Sequence, residues 1–494
     1  MHTHHILPTV GLLAIGLLAG ASATQARNYG AIEFAPCTLA PEFSTQSVEA
    51  QCGVLRVPED RAAPDGRSIE LAIAWVPTEG EPSADPVFML AGGPGQSARD
   101  SYPNAAPAFR DILRHRDVIL VDQRGTGGSN ALGCKDEAGE NAFTAADDDS
   151  LDGATRFARE CLAALGARAD VRHYTTGDAV ADLEAVRQAL GVATINLIGI
   201  SYGTRVAQQY VLHHPAQTRS VILDGVVPNT LVLGSEHAKN LDAALALQYA
   251  RCAEAEACRT AFGDPRQNFR TLAAELRAAP RTVAYRDAVS GEWREEQLTY
   301  GHLAAVMRLY SYAPTVAAML PLTLHEAVNG RGDTLMAQAH MLMGEIGDQI
   351  QHGMQLSVMC AEDAPGLKPD PADADTVLGT EFVDYSLAQC GVWPRGSVAE
   401  DFATPVTADV PVLLLSGEFD PVTPPRYGDN VAQAWPGARH LVLKGQGHNV
   451  IGVGCTPKLA ARFIDTLDAA ELDATCLDSL NYTPPFAGHY GWEP

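Results

Sequence analysis

The stretch Ile195-Asn-Leu-Ile-Gly-Ile-Ser201-Tyr-Gly203-Thr constrains this chain more than any other. An apolar run enters Gly199-x-Ser201-x-Gly203, and a helix-compatible segment (204–213) follows. That order holds a serine at the tip of a strained strand-to-helix bend, with its hydroxyl exposed and a helix N-terminus behind it. Side chains at Gly199 or Gly203 are expected to collide with the neighbouring strand and helix where the backbone turns so tightly. The pattern also arises by chance, so the rest of the chain has to supply its partners.

The surrounding periodicity fits a strand. Val54-Leu-Arg-Val57 and residues 69–76 alternate with period two, while Pro86-Val-Phe-Met-Leu90 and Asp117-Val-Ile-Leu-Val121 are continuous apolar runs, as in strands buried on both faces. Residues 178–190 read as an amphipathic helix stopped by Gly191, and Ser220-Val-Ile-Leu-Asp224 is a further buried run. Repeated strand–helix–strand units imply an α/β fold, a mostly parallel central sheet with helices on both faces. From about 231 the texture turns to alanine-rich helical stretches (238–261, 268–279, 302–329), expected as a helical cap insertion. The sheet resumes with Val410-Pro-Val-Leu-Leu-Leu415 and Ala438-Arg-His-Leu-Val-Leu443. The expected organisation is a signal peptide over 1–26, the first part of the core over 27–230, the insertion over 231–400 and the second part of the core over 401–494.

Length and charge narrow the function. The 494 residues allow one large domain with an insertion, or two domains. A formal charge of −25 and the lack of clustered Lys and Arg argue against nucleic acid. Residues 10–20 form a short apolar core followed by small-residue cleavage sites at Ala21-Ser-Ala23 and Thr24-Gln-Ala26. A membrane span needs roughly 20 apolar residues, so no stable insertion is expected after cleavage. The leading segment carries histidines and no Lys or Arg, which makes its positive charge weak. The expectation is export, to a periplasm or out of the cell.

Ten cysteines, an even number, read as disulfides in an exported chain. They fall into neighbouring couples, Cys37 with Cys52, Cys134 with Cys161, Cys252 with Cys258, Cys360 with Cys390 and Cys455 with Cys476, although sequence alone does not fix the connectivity. No C-x-x-C or H-x-x-x-H spacing favours zinc, and neither a metal nor a cofactor is expected.

A serine hydroxyl needs a base to take its proton, and the base needs a carboxylate to hold it. Leu415-Ser-Gly-Glu-Phe-Asp420-Pro puts Asp420 just after a buried strand, with Glu418 as a rival acid. Lys444-Gly-Gln-Gly-His448-Asn puts His448 after the next strand. Both would lie at the carboxyl ends of parallel strands, where such sheets bind ligands. Ser201, Asp420 and His448, in that order, form the expected triad. Negative charge developing on oxygen calls for backbone N–H donors, expected from Tyr202 and from Gly93 in Leu90-Ala-Gly-Gly-Pro-Gly95. His213, His214, His302 and His325 lie on helical patterns and read as ordinary packing or surface residues.

Together, Ala91-Gly-Gly-Pro-Gly95, Asp122-Gln-Arg-Gly-Thr-Gly-Gly-Ser129, Gly199-Ile-Ser-Tyr-Gly-Thr204, Gly417-Glu-Phe-Asp-Pro421 and Gly445-Gln-Gly-His448 resemble the α/β-hydrolases of the proline iminopeptidase and tripeptidyl aminopeptidase family. The resemblance runs from about residue 50 to 476. That family usually has His before Gly-Gly-Pro-Gly, where this chain has Ala91, which leaves the main-chain oxyanion role intact but weakens the transfer of side-chain roles in that loop. Asp122 and Arg124, in the family's Asp-x-Arg-Gly segment, are read as scaffolding, a charge pair locking the loop beside the glycine turn. The resemblance implies hydrolysis at the N-terminal end of short peptides, and the family includes members acting on esters.

An aminopeptidase must bind a free ammonium group, which calls for a carboxylate. Glu362 in Ser357-Val-Met-Cys-Ala-Glu362-Asp363 is the foremost candidate beside an ordinary surface acid pair or helix cap, with Glu236, Glu326 and Glu345 as rivals. The leading expectation is an exported serine aminopeptidase releasing N-terminal residues or tripeptides through an acyl-enzyme. The alternatives are a carboxylesterase using the same triad and a catalytically silent binding protein on a hydrolase scaffold. The partners expected are peptide or small ester substrates.

Overall fold

The computed structural model describes residues 26–41, 46–134, 150–166, 168–288 and 290–492, with the side chains of 344–348 left out; the expected signal segment up to residue 25 lies outside the described residues. In chain order the strands are β1 Arg27–Tyr29, β2 Ile32–Leu39, β3 Val48–Pro58, β4 Ser68–Val76, β5 Val87–Leu90, β6 Val118–Val121, β7 Ile195–Ile200, β8 Thr218–Asp224, β9 Arg281–Arg286, β10 Trp293–Leu298, β11 Val412–Gly417 and β12 Arg439–Leu443. Ten of them make one sheet in the order β1-β2-β3-β4-β6-β5-β7-β8-β11-β12. The first four pair antiparallel, as does β4 with β6, and every pairing from β6 to β12 is parallel.

Consecutive residues of the apolar runs face opposite sides, as the period of two requires. Leu197, Val221 and Leu414 pack into one core cluster, while their neighbours Ile198, Ile222 and Leu413 pack into another on the far face. Crossover helices cover the sheet. Helix Thr176–Leu190 starts in a capping box made by Thr175 and Asp178 and ends at Gly191, whose φ of +71° gives the left-handed stop.

Between β8 and β11 the chain leaves the sheet. Helices His237–Glu254, Pro265–Ala278, Tyr300–Tyr310 and Leu320–Val328 and the β9–β10 hairpin enclose a separate apolar cluster that includes Leu245, Leu272, Leu303 and Leu324. The expected insertion is therefore not uniform. Met354, Leu356, Val358, Cys390 and Trp393 belong to a core cluster of the main sheet.

Five disulfides join Cys37–Cys52, Cys134–Cys161, Cys252–Cys258, Cys360–Cys390 and Cys455–Cys476, the nearest-neighbour pattern. Asp122 and Arg124 are buried but do not form a charge pair with each other. Asp122 accepts from Ser97 Oγ (2.7 Å), Arg99 N (3.0 Å) and Gly128 N (2.9 Å). Arg124 forks onto Asp182, Nε to Oδ2 at 2.6 Å and an Nη to Oδ1 at 2.7 Å, and donates to the Glu59 and His173 carbonyls. The loop between them is fixed from two sides because each of these buried charges needs its own partners.

Candidate active site

Ser201 stands between β7 and helix Tyr202–His213 with φ 55° and ψ −122°, a conformation an L-residue adopts only under constraint. The constraint comes from the flanking glycines. A Cβ on Gly199 would lie 2.5 Å from Gly203 O, and one on Gly203 would lie 2.3 Å from Leu90 O. Ser201 N donates to Asp224 O at 2.8 Å, which ties the bend to the carboxyl end of β8.

The expected oxyanion turn abuts this bend. A Cβ on Gly92 would come within 3.1 Å of Ser201 Cβ, and Gly93 has a φ of +107° that only glycine tolerates well. Tyr202 occupies the first turn of the helix, so its N–H is among those without an intrahelical acceptor. Its hydroxyl points inward, 2.6 Å from Thr176 Oγ1 and 3.3 Å from Gln123 Nε2.

His448 and Asp420 meet. His448 Nδ1 lies 2.7 Å from Asp420 Oδ2, and the two side chains are 4% and 0% exposed. An ionised carboxylate only accepts, so Nδ1 carries the proton and Nε2 keeps its lone pair. Burial alone would push the Asp420 carboxyl up, yet the charge and hydrogen bond of His448, with the Thr423 and Val422 N–H groups, hold it below its ordinary value. For His448, burial opposes the cation, but the charge and hydrogen bond of Asp420, with the charge of Asp224, lift it above 6.5. The rival Glu418 accepts instead from Gly445 N (2.7 Å) and Tyr482 OH (3.3 Å).

Gly225 is the seam between histidine and serine. It follows Asp224, whose carbonyl holds Ser201 N, and a Cβ placed on it would lie 3.0 Å from His448 Cε1. Among the described residues, no hydrogen bond closes Ser201 Oγ onto His448. Such bonds are often long before substrate binds.

Three supporting residues were not singled out from the sequence. Thr423 Oγ1 donates to Asp420 Oδ2 (2.8 Å) and lies 3.1 Å from His448 Nδ1, bracing the pair. The Asp224 carboxylate accepts from Val450 N and Ile451 N at 2.8–2.9 Å, just beyond His448. Burial raises its pKa to about 6 despite those donors. Tyr312, from the insertion, accepts His448 N on its carbonyl at 2.8 Å and sets its ring edge-on to the imidazole at 5.2 Å. Only Asp224 left a signal, as an acid closing a fully apolar run. Thr423 and Tyr312 act through the folded loops.

The acid pair separates. Asp363 is buried against Arg205 (3.0 Å) and Leu233 N (2.7 Å), so it is no surface acid. Glu362 is half-buried in the π-helical turn Met359–Asp363 beside the Cys360 disulfide, accepting from Thr176 N (2.6 Å) and Thr176 Oγ1 (2.8 Å). Burial raises its pKa to about 7, the Asp363 charge adding to the rise. Among the rivals, Glu236 is held by Arg426 (2.8 Å) and Tyr427 (2.6 Å), and Glu326 by Arg331 (3.1 Å) and His489 (2.9 Å). The Glu345 side chain lies outside the described residues.

A strained serine after a parallel strand and an Asp–His pair after two later strands define the class. A family model described as the alpha/beta hydrolase fold matches residues 85–454, and the chain belongs to that family. It is similar to the serine protease Hip1 of Mycobacterium tuberculosis, 27% identical over 474 residues covering 86% of each chain. The tripeptidyl aminopeptidase of Streptomyces lividans is 29% identical over 194 residues, 36% of this chain and 35% of that one. A carboxylesterase B of M. tuberculosis is 30% identical over 248 residues, 44% and 47% of the two. The chain is a serine hydrolase with peptidases among its relatives.

Proposed function

We propose that this protein is an exported serine aminopeptidase that releases N-terminal residues or short peptides through an acyl-enzyme. Ser201 Oγ attacks the scissile carbonyl, His448 Nε2 takes its proton and later returns it to the leaving amine, and Asp420 holds the imidazole and steadies its cation. The N–H groups of Tyr202 and Gly93 receive the developing oxyanion. Glu362 pairs with the substrate's ammonium group. The helices between β8 and β11 act as the cap over the reacting centre. The observation that carries the reading is the 2.7 Å Asp420–His448 contact facing a strained Ser201 across Gly225. Five disulfides support an oxidising compartment.

The likeness to a carboxylesterase over nearly half the chain favours esterase activity as the second reading. Turnover of an aminoacyl arylamide and of its N-acetylated counterpart separates the two. The aminopeptidase reading expects the free amine to be strongly preferred, and equal rates would sink it in favour of the esterase. A fluorophosphonate should label wild type and spare Ser201→Ala, whose turnover should drop by at least several orders of magnitude with the fold intact. Retained turnover in that variant would mean the nucleophile lies elsewhere.

A further inference from the structure

Arg308 lies on helix Tyr300–Tyr310, and two residues beyond that helix Tyr312 receives His448 N on its carbonyl at 2.8 Å. The Arg308 guanidinium sits 4.9 Å from the centre of the Phe382 ring. The His237 ring lies 5.2 Å from the same phenylalanine. His237 opens helix His237–Glu254, and one turn on, Asn240 Nδ2 donates to Val422 O at 2.9 Å, two residues past Asp420. Two helices of the insertion, each tied to a different loop of the triad, thus converge on Phe382. Phe382 and Met359, the latter from the turn that carries Glu362, flank the same glycine: a Cβ placed on Gly234 would lie 3.3 Å from the one and 3.6 Å from the other.

The charges in this corner are unbalanced. Burial pushes His237 down to about 3, and the charges of Arg308 and His448 press it the same way, so its imidazole stays neutral. Arg308 is half-buried and, among the described residues, makes neither an ion pair with a carboxylate nor a hydrogen bond. This happens in a chain with 60 acidic residues against 35 Lys and Arg, where a carboxylate partner would be easy to supply. The guanidinium lies over the Phe382 ring while its N–H donors stay free of protein acceptors among the described residues, which leaves them for bidentate recognition of a carboxylate.

We propose that Arg308 is a specificity-determining residue of the catalytic cleft that recognises a carboxylate on the substrate, either an acidic side chain on the acyl side or the free C-terminus of a short peptide on the leaving side. The inference rests on the reading of Ser201, His448 and Asp420 as the reacting centre, and it holds for peptide and ester substrates alike.

The test compares matched pairs. One is the 4-nitrophenyl half-ester of glutaric acid against its methyl-capped form, with the carboxylate on the acyl side. The other is a short alanine peptide with a free C-terminus against its amide, with the carboxylate on the leaving side. In wild type, kcat/KM should favour the anionic member of one pair by about tenfold or more, as a charge-assisted hydrogen bond provides. The responding pair identifies the source of the carboxylate. Arg308→Gln should bring that ratio near one and Arg308→Lys should keep part of it. Raising the salt should lower the wild-type ratio, a readout that needs no variant to fold. An equal loss on both members in Arg308→Gln, leaving the ratio intact, would make Arg308 structural and overturn the proposal. So would a wild type indifferent to charge in both pairs. Either result leaves the reacting centre standing, whereas turnover of these substrates by Ser201→Ala would remove the centre and this inference with it.

Discussion

A Cβ on Gly203 would stand 2.3 Å from the Leu90 carbonyl oxygen and 2.7 Å from that of Ala91, both backbone atoms that cannot swing aside. Gly203→Ala is therefore expected to lose soluble, fluorophosphonate-reactive protein altogether, whereas Gly437→Ala, which meets nothing within 4 Å but has a φ of +71°, should cost only about 1 kcal/mol in a denaturant melt. Asp224 is a subtler case. Its two oxygens accept from Val450 N and Ile451 N. Asparagine has one acceptor and would turn an NH2 against those donors, loosening the chain just past His448. Asp224→Asn should lower kcat by about ten- to a hundredfold. Asp224 and Asp420 both raise His448, and the base works only when neutral, so the acid limb of the kcat/KM profile should centre above pH 6.5 in wild type and move to lower pH in Asp224→Asn. A limb that stays in place would remove Asp224 from this account. Glu362 titrates with a consequence for stability. Its folded pKa of about 7 exceeds the ordinary 4.5, so the folded state holds the proton longer than the unfolded state and stability falls as pH rises through that window. Glu362→Gln should flatten that loss in thermal melts between pH 4.5 and 8 and abolish the preference for free-amine substrates. At this scale the proposed triad could be picked out in the sequence because each member is a polar residue placed just after an apolar strand run. Thr423 and Tyr312 were not, because their roles depend on which loops meet.

The parallel strands were read correctly where both faces are buried, since a run such as Val-Leu-Leu-Leu in β11 has few other uses. The insertion was read more coarsely. The helical stretch expected over 302–329 is divided in the structure into Tyr300–Tyr310, Pro314–Ala317 and Leu320–Val328, and the prolines Pro314 and Pro321 fall in the first turns of the last two. The β9–β10 hairpin leaves no signal in the sequence because β10, Trp-Arg-Glu-Glu-Gln-Leu, buries only its final leucine and shows no alternation. Disulfides staple these elements with unequal consequences. Cys252–Cys258 closes a separation of 6 residues between adjoining helices, while Cys360–Cys390 spans 30 and anchors the turn that carries Glu362. Removing the longer staple with Cys360→Ser/Cys390→Ser should cost roughly 3–4 kcal/mol in the chain-entropy model. It should also raise KM for free-amine arylamides. Cys252→Ser/Cys258→Ser should cost less and leave that KM alone. A rise in KM in both pairs would show that the effect is general loosening rather than the position of Glu362.

Across the whole molecule, the insertion is built on a core of its own and yet reaches the histidine of the proposed proton relay. Leu303 is fully buried in the cluster enclosed by the 237–349 helices, separate from the two clusters that flank the sheet. Two residues beyond the helix that carries it comes Tyr312, whose carbonyl takes His448 N, and a Cβ on Gly447 would lie 2.1 Å from that same oxygen. A cap that only shaped the pocket would alter KM when loosened and leave the chemical step intact. Here the histidine loop rests on the insertion, so loosening one should misplace the other. Leu303→Ala should destabilise that cluster by about 2–5 kcal/mol, seen as faster amide exchange confined to the 237–349 helices while the sheet stays protected. Because a displacement of the base by about 1 Å can cost a hundredfold in rate, kcat should fall along with substrate affinity. If kcat holds while exchange accelerates, the Tyr312–His448 contact does not position the base, and the imidazole is oriented by Asp420, Thr423 and the Asp224-anchored chain alone.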